Sequence, residues 1–183
     1  MRHVICALGT LLCGMLPALK GADLTVILNF ESTRSQRSVA TMEREAEKLL
    51  SESGVSLDWR MRNRLSPGES FSRLAVVELK GRCEMLPFLS AARPPSGRLG
   101  VTYRMDGRVI PFSEVECDAV RSTLGAAHLP VDPAARELLY GRALGRVLAH
   151  ELLHVINQSG RHTKDGVGQK YFSAATLTGD HID

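Results

Sequence analysis

Five consecutive residues in the last quarter of the sequence, His150-Glu151-Leu152-Leu153-His154, constrain this chain more than any other stretch. Residues four apart share one face of a helix, so His150 and His154 can aim two imidazoles at a single ion, with Glu151 beside the first. This is the HExxH spacing. Neutral imidazoles hold Zn²⁺ without cancelling its charge, and the carboxylate can take a proton from the water the ion acidifies. The alternative is a helix that carries two unrelated histidines. Two features argue against it. Asp132 is placed to cap the helix, Pro133 suits its first turn and Gly160 is placed to end it, which gives a helix over residues 133–158. Leu139, Ala143, Val147, His150, Glu151 and His154 also recur at helical spacing, along or beside an inward stripe. Buried there, two imidazoles and a carboxylate need partners, and a metal supplies them.

An open zinc site takes a third protein ligand from outside the helix. Gly160 can adopt the left-handed conformation that turns the chain back. His162 is the first side chain after it that can bind metal; Asp165 and His181 are the alternatives. One Zn²⁺ per chain is therefore expected, on His150, His154 and His162, with Glu151 as general base.

The N-terminal residues set the compartment. Arg2 precedes an apolar run over residues 4–16, and small residues follow at Ala18, Gly21 and Ala22. That pattern reads as a secretory signal over residues 1–21, cleaved near Gly21 or Ala22, with an uncleaved anchor as the other reading. The run is too short for a membrane-spanning helix. Residues 22–183 then form one domain, long enough for a sizeable core. Cys6 and Cys13 leave with the signal, so Cys83 and Cys117 remain. One pair in an exported protein reads as one disulfide, against two buried free thiols. The formal charge of +3 is small, and the densest basic run, Arg60, Arg62 and Arg64, has no aromatic interleaving, so nucleic acid is not an expected partner.

Along the chain, residues 24–30 read as a buried strand. Val39, Met42, Ala46, Leu49 and Leu50 stripe a helix that stops near Gly54. Val55, Leu57, Trp59 and Met61 alternate with polar residues in a half-buried strand, residues 63–70 form a loop, and residues 74–79 form a third strand. Strand–helix–strand order implies parallel pairing. After a proline-rich loop over residues 91–100, residues 101–105 and 109–112 pair across Asp106-Gly107 as a hairpin. Residues 113–119 read as a further strand and residues 125–131 as a connector, with His128 a loop or surface residue. Ser173 can cap a brief helix ending at Gly179.

This order of elements, closed by an HExxH helix and a histidine beyond a glycine, resembles the N-terminal subdomain of metzincin-type zinc metallopeptidases. The family pattern HExxHxxGxxH requires glycine at Asn157 and histidine at Gly160; this chain has Gly160 and then His162, and no methionine after Met105 to form a Met-turn. The resemblance implies an α+β fold: a mixed, largely parallel twisted sheet with an antiparallel edge strand, packed on two main helices, with a short C-terminal tail. It implies that the third and fifth strands are neighbours, which brings Cys83 near Cys117. It also implies that Tyr171 binds the metal or stabilises the oxyanion, as a tyrosine downstream of the third ligand does in some metzincins. From the residues alone, Tyr171 is a packing neighbour of Phe172.

The expected function is hydrolysis of peptide bonds in a peptide or protein substrate by an exported, secreted or periplasmic, zinc-dependent enzyme. No stable membrane association is expected after signal cleavage. A substrate would align by strand addition at residues 101–105. A zinc-stabilised binding protein without turnover is the alternative, and a hydrolase of a non-peptide substrate a third reading. The intact Glu151 favours the first, because holding metal needs only the ligands.

Overall fold

Apolar and β-branched residues over Leu24–Phe30 form the first strand, β1, of a computed structural model that describes residues 23–85, 97–125 and 130–182. Helix α1, Gln36–Ser51, follows. The Ser35 side chain accepts from the backbone N–H of Ser38 at its start, and Val39, Met42, Ala46, Leu49 and Leu50 are buried along one face. Strands β2 (Leu57–Met61) and β3 (Leu74–Lys80) both pair with β1 in parallel. A short 3₁₀ turn, Arg62–Arg64, opens the loop between them.

Strand β4, Gly100–Met105, turns at Asp106-Gly107 into β5, Arg108–Glu116, which lies antiparallel to β4 and parallel to β3. The order across the sheet is β2-β1-β3-β5-β4, a mixed, mostly parallel sheet with β4 as its antiparallel edge. Between Thr102 and Arg104 the register slips: two steps along β4 face four along β5, from Ser113 to Val109. Pro111, which has no N–H for the ladder, falls in that bulge.

One expectation fails here. Residues 113–119 are not a separate strand. Nothing between Phe112 and Ser113 breaks the ladder, so β5 runs on to Glu116, and Cys117–Leu124 is helix α2. Cys117, Val120 and Leu124 are buried at helical spacing, and Asp118 in the first turn pairs with Arg121. Cys83, just past β3, and Cys117, at the start of α2, form a disulfide with Cα atoms 5.1 Å apart. Adjacency of β3 and β5 brings them together.

Helix α3, Pro133–Asn157, crosses the core beside α1. The Asp132 carboxylate caps it on the N–H of Ala135 at 2.8 Å, with Pro133 in its first turn. Gly141 and Gly145 lie against α1: a Cβ on the first would stand 2.5 Å from the Ser38 carbonyl oxygen, and one on the second 2.7 Å from that of Met42. Two mid-helix glycines cost helix propensity, about 1 kcal/mol each against alanine. In return the two helix backbones touch, which sets the depth of the histidine pair one turn further on. The buried residues of α1 and α3 share one core with Val26, Leu28, Val77, Leu79 and Val115 of the sheet.

Arg146 is 1% exposed on α3. It donates to Glu45 Oε1 at 2.8 Å, to the Gly179 carbonyl at 2.7 Å and to the carbonyl of Thr176. Arg142 adds bonds to the carbonyls of Thr178 at 3.0 Å and Gly179 at 3.2 Å. These arginines fasten helix α4, Ala174–Thr178, whose Leu177 is buried. As expected, Ser173 caps α4 and Gly179 follows it. Among the described residues no helix is long and apolar enough to cross a membrane. The expected signal, the proline-rich loop up to residue 96 and His128 lie outside the described residues.

Candidate metal centre

One turn of α3 sets His150 above His154, and their rings meet edge to face with centroids 4.6 Å apart. His162 completes the group, its ring stacked 5.2 Å from that of His150 and edge-on 5.0 Å from that of His154. One nitrogen from each of the three imidazoles falls within 4.8 Å of the others. His150 is buried at 6% exposure, His154 half-buried and His162 exposed, so the centre has a dry side and an open one. Asp165 and His181 lie outside the group.

The chain returns to the centre by a different turn from the one expected at Gly160. Gln158 takes the left-handed conformation, with φ of 50°, and its N–H closes the helix on the carbonyls of His154 and Val155. The Ser159 carbonyl then accepts from His154 Nδ1 at 2.7 Å. Gly160 serves as a close approach instead, since a Cβ there would stand 3.3 Å from Arg104 Nη1.

Hydrogen bonding fixes the tautomers. His150 Nδ1 lies 2.8 Å from the Val167 carbonyl and His154 Nδ1 bonds that of Ser159. A carbonyl only accepts, so in each neutral ring the proton is on Nδ1 and Nε2 carries a lone pair. Those two Nε2 atoms are 3.1 Å apart. Two lone pairs at that distance repel unless a cation lies against both. A shared proton is disfavoured, because burial pushes the His150 imidazole down to about 4, against the carbonyl bond from Val167 and with His154 and His162 adding to the shift. Two nitrogens on one tetrahedral zinc ion, each at ~2.05 Å, are separated by roughly 3.3 Å, which the pair nearly matches. The donor set fits a metal ion such as zinc, and imidazole equally suits copper, iron or nickel. His162 is also shifted down, by loss of water around its ring and by His154 and Lys170.

Glu151, 4% exposed, turns its carboxylate toward β4. Thr102 Oγ1 lies 2.7 Å from Glu151 Oε2, 3.0 Å from the Glu151 carbonyl and 2.9 Å from Ser113 Oγ. A hydroxyl has one proton to give, and the carboxylate is its strongest acceptor, leaving the buried Ser113 hydroxyl to donate to Thr102. Burial pushes the carboxyl of Glu151 up to about 7, while the Thr102 bond and Arg98 pull the other way. Gly100 makes room: a Cβ there would stand 2.7 Å from Glu151 Oε1.

The centre opens into a cleft of about 550 Å³ whose lining includes residues of β4 and residues 170–172. Phe172 packs edge-on against His150, centroids 5.5 Å apart. Tyr171 is not a packing residue: it is 74% exposed on the cleft wall, with Lys170 Nζ 5.0 Å from its ring centroid. The three histidines singled out in the sequence come together, and Glu151 lines the same cleft. Sequence reasoning missed Gly100, Thr102 and Ser113, whose roles depend on which side chain the sheet edge meets, and the carbonyls of Ser159 and Val167, which carry no residue signature. No protein-family model, curated protein or solved structure matches this chain.

Proposed function

We propose that this chain is an exported zinc-dependent peptidase in which Glu151 activates water for attack on a peptide bond. The observation that carries the reading is the Glu151 carboxylate, buried and hydrogen-bonded next to the three histidines in an open cleft. A centre that only held metal has no need of it. Zinc bound by His150, His154 and His162 supplies Lewis acidity toward a carbonyl oxygen and toward water. Glu151 accepts the proton from the attacking water and passes it to the leaving nitrogen, the role of a general base and then a general acid. Thr102 holds that carboxylate in one orientation. Among the described residues β4 has a strand partner on one side only, so an extended peptide can hydrogen-bond along its other edge and cross the centre.

The parallel sheet with its antiparallel edge strand and the histidine-bearing helix agree with the metzincin resemblance. The Cys83–Cys117 disulfide suits an oxidising compartment, secreted or periplasmic. The test is cleavage of a peptide library by zinc-loaded protein, with and without chelator. Chelator-sensitive cleavage restored by zinc is expected. Zinc-loaded protein that cuts nothing would point to the zinc-stabilised binding protein instead.

A further inference from the structure

The cleft over the histidines is lined by three cationic side chains, Arg98, Arg104 and Lys170, and by one carboxylate, that of Glu151. Glu151 is buried and bonded to Thr102, whereas the three cations are exposed. An occupant therefore meets positive charge, to which a bound metal ion adds. The cations come from separate parts of the chain: Arg98 just before β4, Arg104 on it, and Lys170 from the segment after His162. Arg104 donates from Nη2 to the Gly107 carbonyl at 2.9 Å, which steadies its guanidinium over the end of α3 beside Gly160. Lys170 rests over the Tyr171 ring. Among the described residues neither Arg104 nor Lys170 has a carboxylate partner, whereas Arg60, Arg121, Arg142 and Arg146 elsewhere on the molecule each do.

We propose that this cleft selects acidic peptides, in which aspartate or glutamate side chains close to the scissile bond are seated by Arg104 and Lys170. The inference rests on the peptidase reading and names its substrate class. A guanidinium meets a carboxylate in a two-pronged bond, and the Lys170 ammonium supplies a second, less directional one. The same charges repel basic peptides, so selection works in both directions. A peptide suits the cleft better than nucleic acid does, because the β4 edge pairs with main chain.

The experiment uses a fluorogenic peptide in three forms, with aspartate or glutamate, the matching amide, or lysine flanking the scissile bond. Cleavage by zinc-loaded protein and binding to zinc-loaded Glu151→Gln, read by fluorescence anisotropy, are measured in parallel. Two exposed pairs, each within the range of about 0.2–1 kcal/mol that such pairs contribute, together favour the acidic form over the amide by about tenfold. That ratio should shrink as salt is raised and collapse in the Arg104→Gln/Lys170→Gln double variant. Cleavage without charge preference, or a preference the double variant leaves intact, overturns the inference while the peptidase reading stands. Selective binding of the acidic peptide without cleavage of any form overturns the peptidase reading while the cleft's selectivity stands. Absence of both overturns both, and tighter binding of an oligonucleotide of equal charge overturns the choice of an acidic peptide.

Discussion

Gly100→Ala should separate the chemistry of this site from the stability of the fold. Gly100 lies in regular β4, opposite Val115, so its backbone suits alanine. The obstacle is Glu151. A methyl at Gly100 would stand 2.7 Å from Glu151 Oε1, 2.9 Å from its Cγ and 3.1 Å from the Glu114 carbonyl oxygen. The carbonyl need yield only a few tenths of an ångström, whereas the carboxylate must move much further and is the free end of a flexible side chain. It rotates away and gives up its 2.7 Å bond to Thr102. Loss of a hydrogen bond to a charged group costs about 1.5–3 kcal/mol, and replacing a strand glycine returns about 0.5–1 kcal/mol. The net loss is about 1–2 kcal/mol, or roughly 2–8 °C in Tm for a chain of this size. The rate should fall far more, by on the order of 10² to 10⁴, because the general base has left its position. Zinc content, thermal unfolding and kcat measured on one preparation test this. Full turnover in the variant would refute the assignment of Glu151 as a base held by β4.

The remaining predictions concern the ligands, the base, the disulfide and the buried arginine. His154→Ala and His162→Ala should each lose the single equivalent of zinc that Asp165→Ala keeps, by metal analysis; zinc loss from the Asp165 variant alone would reassign the third ligand. Glu151→Gln should keep its zinc and lose about 10² to 10⁴ in rate, and full activity would rule out the general-base role. Removing the Cys83–Cys117 bridge, which spans 34 residues, should cost about 4 kcal/mol in denaturant unfolding, and an unchanged midpoint would show that the unfolded chain gains nothing from its release. Arg146→Met strands Glu45 without its partner and should destabilise by about 3–5 kcal/mol, with intact stability showing that Glu45 finds water instead.

Much of this molecule is legible in its residues because the signals are local. Alternation marks Leu57–Met61, the helical stripe marks Gln36–Ser51, and Asp106-Gly107 marks the hairpin. The histidine helix carries its own boundaries in Asp132 and Pro133. Its end did not follow the same logic. Gly160 was the residue best suited to the left-handed turn, yet Gln158 adopts it, because Ser159 must present its carbonyl to His154. The split of residues 113–119 was missed because Val115 and Cys117 fit a strand period as well as Cys117, Val120 and Leu124 fit a helical one. Gly100, Thr102, Gly141 and Gly145 matter through what packs against them from distant parts of the chain, and no single-sequence pattern contains that information.

Arg142 and Arg146 bind the carbonyls of residues 176–179, so the helix that carries His150 and His154 is fastened to a segment made just over twenty residues after the motif. Synthesis proceeds at roughly 5–20 residues per second, and the motif therefore exists for seconds before the carbonyl of Val167 and the ring of Phe172 are there to steady it. Before those contacts form, the imidazoles are still free to rotate. The geometry of the three histidines is therefore completed only when the segment around Gly179 has docked.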